Sequence, residues 1–280
     1  MNAAGGQLHR LAAFADAPGG GNPAGVWIGD ALPDDAQMLA IAADVGYSET
    51  AFVAPASGRR RNVRYFSAEA EVSFCGHATI ATGVVLARDD GPGRFELETA
   101  VGRVPVIVRN LDGSLVATLE SVEPRDELMT DEFLDAALAA IGWARGDIDD
   151  ALTPARAYAG AWHGVIAVRD RNTLGALDYD YDALKSLMLD DNLTTMQLVW
   201  RENQKLFHAR DPFPVGGVVE DPATGAAAAA LGGYLRNAGL IRAPASLTIL
   251  QGYDMGRPSR LQVEIPPSGG ILVSGTAVSC

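Results

Sequence analysis

Only two cysteines occur in the 280 residues, Cys75 and Cys280, and they lie far apart. That excludes a disulfide framework and a cysteine-based metal motif, and it fits a reducing, cytoplasmic compartment. No His-x-x-x-His spacing is present, so no metal is expected. Basic residues are scarce: 22 Lys and Arg stand against 35 Asp and Glu, a net charge of -13. Phosphate neutralisation needs clustered Lys and Arg, so nucleic acid is not an expected partner. The one basic run, Arg59-Arg60-Arg61, follows Ser57-Gly58 and is expected to be a solvated loop. Also missing is an uninterrupted apolar stretch of the roughly 20 residues that cross a bilayer. Residues 1–7 lack a basic and then apolar leader. Neither a membrane span nor a signal peptide is expected. No Gly-x-Ser-x-Gly, Walker or dinucleotide fingerprint appears, and Gly19-Gly20-Gly21 has the wrong spacing for one.

Apolar residues make up 48% of the chain and charged residues 20%, enough for a substantial core in one large domain or two ordinary ones. The most informative segment is Glu220-Asp221-Pro222-Ala223-Thr224-Gly225, followed by five alanines. A strand-like run at 215–219 leads into a turn, and the turn opens a helix. Pro222 suits a first helical position, and Asp221 suits an N-cap. A helix N-terminus attracts carboxylate or phosphate, although an ordinary capped helix carries the same signature. A second segment, Phe74-Cys75-Gly76-His77-Ala78-Thr79, also follows an extended run and opens a helix of small residues. The chain thus carries two strand-to-helix turns of one design, half a chain apart, a weak internal repeat. Two such N-termini facing one cavity would form a carboxylate site between two lobes.

Elsewhere, strands are expected at 8–14, 24–28, 51–53 and 62–66, with a helix from about 33 to 45. Alternating strands at 95–99, 104–108 and 115–119 form an antiparallel meander. In the second half, helices are expected at 130–141 and 182–189. Strands are expected at 165–168, 196–200, 206–209, 247–251, 261–265 and 271–273. The loop at 252–258 could approach the site or be a plain hairpin loop. A polar break with Pro, Glu123-Pro124-Arg125-Asp126, marks a lobe boundary. The sum is α+β: mostly antiparallel sheet with one central helix per half, the halves being 1–121 and 122–280. The last strand is free to return to the first lobe.

Four residues could carry chemistry. Glu49 sits where a helix passes into an apolar strand, and partial desolvation there suits proton transfer; a surface carboxylate is the plainer alternative. His77 follows Gly76 at a helix start, where a neutral imidazole could exchange protons or donate one hydrogen bond. Cys75 could be an activated thiolate paired with His77, or inert packing. Asp221 could be a cap, a catalytic carboxylate or both. His9, His163 and His208 lie in strand-like runs and are expected to be structural.

With these residues assembled, the chain resembles the phenazine-biosynthesis PhzF-like family, within the diaminopimelate-epimerase-like fold. The resemblance runs nearly end to end. It rests on Gly21-Asn22-Pro23-Ala24-Gly25-Val26, Ser48-Glu49-Thr50-Ala51-Phe52, Phe74-Cys75-Gly76-His77-Ala78-Thr79 and residues 217–225. It implies two similar lobes, each a mostly antiparallel sheet rolled around a central helix, with the active site between them, a homodimer, and cofactor-free proton transfer on a small carboxylated substrate. Glu49 matches the family's general acid/base, and His77 and Asp221 match its supporting polar residues. Gly76 and Gly225 match the turns whose amides hold substrate, with Asn22 and Thr224 beside them. Ala226 stands where the family often has a Ser able to bind the substrate carboxylate. A two-thiol racemase needs a second Cys in the other lobe, and the Asp221 turn has none. Two other classes compete: a Cys75–His77 hydrolase or transferase, and a non-catalytic binding homologue.

Overall fold

A computed structural model describes Asn2, Ala3 and residues 5–280. The chain divides into two compact units, one running through Glu120 and rejoined by Ser274–Cys280, the other Ser121–Val273.

In the first unit, Gly6–Ala13 pairs antiparallel with Asn22–Gly29. Asn22–Gly29 then runs parallel to Thr50–Ser57, the crossover carrying helix α1 (Asp35–Val45). Thr50–Ser57 pairs antiparallel with Arg60–Phe66. Arg60–Phe66 runs parallel to Gly93–Thr99, and that crossover carries helix α2 (Gly76–Asp90). Gly93–Thr99, Gly102–Leu111 and Ser114–Glu120 complete the expected meander. The C-terminal strand closes the ring. Its end pairs with Leu11–Ala13, and it also pairs with Ser114–Glu120, where the Thr118 and Ser274 hydroxyls meet at 2.8 Å. The result is a closed barrel with α2 inside.

Sequence explains why α2 is central. From His77 to Ala87 every residue is buried, and none is Asp, Glu, Lys or Arg. A helix apolar all round has no face for water. Small residues let strands press close: a Cβ on Gly83 would lie 2.7 Å from Val106 Cγ1. By contrast α1 buries one stripe, Met38, Ala42 and Val45, against the outside of the sheet near Trp27, Phe52 and Phe66.

The second unit repeats the plan. Arg125–Leu128, Ala155–Tyr158 and Trp162–Val168 pair antiparallel in turn. Trp162–Val168 runs parallel to Thr195–Asn203. Thr195–Asn203 forms the expected hairpin with Leu206–Pro212. Leu206–Pro212 runs parallel to Ala245–Gln251, which pairs antiparallel with Ser259–Ile265. Helix α3 (Asp131–Ile141) lies in the connection between Arg125–Leu128 and Ala155–Tyr158. Helices α4 (Arg171–Gly175) and α5 (Tyr181–Asp190) fill the first parallel crossover, and α6 (Gly225–Asn237) fills the second. Residues Ala227 to Leu235 of α6 are all buried. A Cβ on Gly233 would lie 2.3 Å from Pro124 Cβ.

The pairing series antiparallel, parallel, antiparallel, parallel, antiparallel is therefore common to both units. Each central helix is also preceded by a two-residue strand pairing back on the strand before it. In the first unit Glu71–Val72 pairs with Phe66 and Tyr65; in the second Glu220–Asp221 pairs with Pro212 and Asp211.

Two local expectations need correction. Residues 215–219 are not a strand, and neither Asp221 nor Pro222 begins the helix. Pro214–Gly216 is a 3-10 turn, Asp221 is recruited into the short pairing, and the helix starts at Gly225 with Thr224 as N-cap. The backbone pairing of Glu220–Asp221 holds the chain extended, so Pro222 falls ahead of the helix. The Arg59–Arg61 run is a solvated loop only in part: Arg59 lies in an exposed turn, while Arg60 and Arg61 open strand Arg60–Phe66. Arg59 donates to the carbonyls of Asp90, Gly91 and Pro92, and Arg61 pairs with the Asp90 carboxylate. The cations cap the C-terminus of α2, where orphan carbonyls and the helix dipole attract positive charge. Among the described residues, no helix is long and apolar enough to cross a membrane.

Candidate active site

Side chains cap the outer helices. Asp34 and Gln37 form a capping box on α1, Thr130 caps α3, Asp170 caps α4 and Asp180 caps α5. The two central helices differ. The N-caps of α2 and α6 are Cys75 and Thr224, and neither makes a side-chain cap hydrogen bond. A cap normally contributes on the order of 1 kcal/mol. Leaving it out at these two ends alone keeps first-turn N–H groups available to an anion.

In the first unit, three chemically distinct groups converge at the N-terminus of α2. Glu49, just ahead of strand Thr50–Ser57, places Oε2 3.4 Å from His77 Nε2 and 3.6 Å from Cys75 Sγ. Ser48 Oγ lies 3.4 Å from the same His77 nitrogen. The backbone fixes Glu49 too, because its carbonyl accepts from the Gly25 N–H at 3.2 Å. The imidazole is buried, while the carboxylate keeps 19% of its side-chain surface exposed. Glu49 is thus reachable, yet walled on one side by protein. Asn22, which opens strand Asn22–Gly29, is buried.

Cys75 belongs to this cluster and is not packing alone. Its sulfur is 3.4 Å from Nδ1 and 3.7 Å from Nε2 of His77. An in-line hydrogen bond to one ring nitrogen would leave the other much farther away. The near-equality means that neither nitrogen points its lone pair at the sulfur, so His77 is not set to take the thiol proton in this geometry.

In the second unit, the Asp221 turn is tied together by its own side chains. Thr224 Oγ1 donates to Asp221 Oδ2 at 2.6 Å. Gln251, fully buried, accepts from the Thr224 N–H at 3.1 Å and donates to the Asp221 carbonyl at 2.7 Å. Its amide also reaches Thr224 Oγ1 at 3.0 Å. The Thr224 hydroxyl is therefore engaged internally, and Gln251 sets the shape of the turn. Sequence reasoning missed Gln251. Its only signal was its place at a strand end just before the loop at 252–258. That loop does approach the turn: a Cβ on Gly252, which has φ +75°, would meet Pro222 O at 2.8 Å. Behind the turn, Glu220 is buried and paired with Arg210 at 2.6 Å.

His163 is structural, as expected, with Nδ1 2.8 Å from Thr195 Oγ1. His208 pairs with Glu202 at 2.8 Å. The structure thus gathers Glu49, Cys75, Gly76 and His77 in one unit, and Asp221, Thr224 and Gly225 in the other.

Comparison with known proteins agrees with this architecture. The family model described as "Phenazine biosynthesis-like protein" (PhzC-PhzF) matches residues 11–280. A trans-2,3-dihydro-3-hydroxyanthranilate isomerase of Pseudomonas fluorescens is 33% identical, covering 95% of this chain and 97% of that protein. An uncharacterized isomerase of Bacillus subtilis is 28% identical, covering 97% and 96% respectively. Among solved structures, a PhzF-family phenazine biosynthesis protein of Bacillus anthracis superposes with a TM-score of 0.86 at 24% identity, covering 97% of this chain and 96% of that one.

Proposed function

From the premise that the chain belongs to the phenazine biosynthesis-like (PhzC-PhzF) family and is an isomerase, we propose that it moves a carbon-bound proton on a small carboxylated substrate, with Glu49 as general acid/base. The observation that carries this reading is the 3.4 Å approach of Glu49 Oε2 to His77 Nε2 beside an uncapped helix N-terminus.

A carboxylate can remove a proton at one carbon and return it at another, provided that the substrate is held while charge develops. His77 supplies a hydrogen-bonding partner that steadies the carboxylate between the two steps. The first-turn N–H groups of α2, and Gly76 in particular, supply fixed donors for negative charge. In the second unit, the Asp221 turn and Gly225 at the start of α6 suit the binding of a polar group in the same way. No cofactor is required by this scheme, because no electrons are gained or lost and the proton is conserved.

Thiol chemistry is the competing reading, and one observation bears on it. Cys75 and Thr224 are the N-caps of corresponding helices, so the second unit offers no thiol at the matching place. A two-thiol racemisation therefore lacks its partner base. The site is tested by incubating the protein with small carboxylates in deuterated water and following exchange of carbon-bound hydrogen. Exchange that survives Glu49→Gln would overturn the role given to Glu49.

A further inference from the structure

Asp211, in strand Leu206–Pro212, is fully buried. It lies directly opposite Asp221 in the short antiparallel pairing ahead of α6. Residues so placed share a face, with Cβ atoms about 5 Å apart. On its other side Thr195 Oγ1 donates to Asp211 Oδ1 at 3.2 Å, and His163 Nδ1 stands 2.8 Å from that hydroxyl. A hydroxyl has one proton to give. Since Thr195 gives its proton to Asp211, it must accept from His163, which fixes the Nδ1–H tautomer of that ring.

The remaining oxygen, Asp211 Oδ2, is buried and receives no protein donor. Three titratable groups surround the carboxyl: Asp221, Glu220 and His163. None is a cation. Glu220 is already neutralised by Arg210, and full burial drives His163 down to about 3, so the ring is uncharged. An ionised Asp211 would hold its charge out of water with one donor while facing a second carboxylate. Burial first, and the Asp221 charge second, push the Asp211 acid well above the usual carboxylate range.

We infer that Asp211 is a neutral carboxylic acid whose Oδ2 proton is donated across the strand pair to the Asp221 carboxylate, making Asp211 the positioning residue for Asp221. The donors then run one way, from His163 to Thr195, Thr195 to Asp211, and Asp211 to Asp221. Thr224 supplies a further donor to Asp221 at 2.6 Å. Two donors, from Thr224 and from Asp211, then fix the orientation of the Asp221 carboxylate. The functional weight of this arrangement rests on reading Asp221 as a site residue; the hydrogen bond itself does not.

The test is nuclear magnetic resonance of the full chain labelled at the Asp carboxyl carbons, at neutral pH and without substrate. The wild type is expected to show one protonated Asp carboxyl together with a strongly downfield acid proton. Asp211→Asn should abolish both signals. Asp221→Asn should leave the acid protonated and move its proton upfield, because an amide carbonyl is a weaker acceptor than a carboxylate. The inference is overturned if every Asp carboxyl is ionised, if the acid signal survives Asp211→Asn, or if Asp221→Asn leaves the proton unmoved. Failure of Asp211→Asn to fold would also contradict it, since Asn keeps one donor and one acceptor in the same shape. None of these signals depends on turnover, so the outcome is separate from that of the isomerase reading.

Discussion

Glu49 and His77, 28 positions apart in sequence, meet at 3.4 Å because one precedes a barrel strand and the other begins the helix inside that barrel. Glu49 lies one residue ahead of the strand, where its carbonyl accepts from the Gly25 N–H at 3.2 Å, so the barrel strands and the central helix together place the pair. The Glu49 carboxylate thus has His77 on one side and keeps part of its surface exposed on the other.

Cys75→Ala should leave most of the activity intact. The sulfur has no in-line contact with His77, and the corresponding helix start carries Thr224. Removing a buried thiol should lower stability by about 1 kcal/mol. Steady-state kinetics and urea denaturation of the variant measure both effects. A folded Cys75→Ala protein without activity would restore the thiol mechanisms.

Asp211→Asn should stabilise the protein at neutral pH. The folded-state pKa of Asp211 is raised, so the native chain holds a proton that the unfolded chain releases. The stability it contributes is fully present below about pH 4 and is lost as pH rises towards the folded value. Asn carries no such penalty. Urea unfolding from pH 4 to 8 should show the variant gaining on the wild type as pH rises, and a gap that stays constant or shrinks would contradict a buried neutral acid.

His163 acts with the opposite sign. Its folded pKa is lowered to about 3 by burial, so on acidification the unfolded chain takes up a proton that the native chain refuses. The stability contributed by the neutral ring is intact above about pH 6.5 and is lost as pH falls towards 3. At pH 5 the loss from this group is about 2 kcal/mol relative to pH 7. Measured in the Asp211→Asn background, which removes the opposing slope, His163→Gln should flatten the acid side of the stability profile. An unchanged profile would mean that the ring is not held neutral.

Gly233→Ala tests why the central helices are built from small residues. Alanine would improve helix propensity by about 1 kcal/mol. Its Cβ, however, would fall 2.3 Å from Pro124, whose ring cannot turn aside. Overpacking of this kind costs about 1–3 kcal/mol, so a net loss is expected in thermal denaturation. A stabilised variant would show that Pro124 can yield.

Much of this architecture is legible in the sequence. The turns at Gly76 and Gly225, the burial of α2 and α6, and the meander after Gly93 follow from small-residue runs and period-two alternation. The parallel crossovers are not, because pairing partners such as Val26 and Ala51 are chosen by tertiary closure and leave no local mark. The short strands Arg125–Leu128 and Ala155–Tyr158 were missed for a related reason: four residues are too few to display a period. Among the candidate residues, types and motifs pointed to Glu49, His77 and Asp221, but their supports left no such mark. Gln251 and Asp211 act through neighbours brought close only by sheet register and the turn before α6, and neither sits in a recognisable motif.

The central claim is that Glu49 moves the proton, and the most direct measurement is exchange of carbon-bound hydrogen in deuterated water. Small carboxylates, trans-2,3-dihydro-3-hydroxyanthranilate among them, would be compared with wild type and Glu49→Gln protein of equal thermal stability. Wild type should incorporate deuterium into at least one substrate, and Glu49→Gln should reduce the rate by about 10²-fold or more. Near-normal exchange by a folded Glu49→Gln protein would contradict the account.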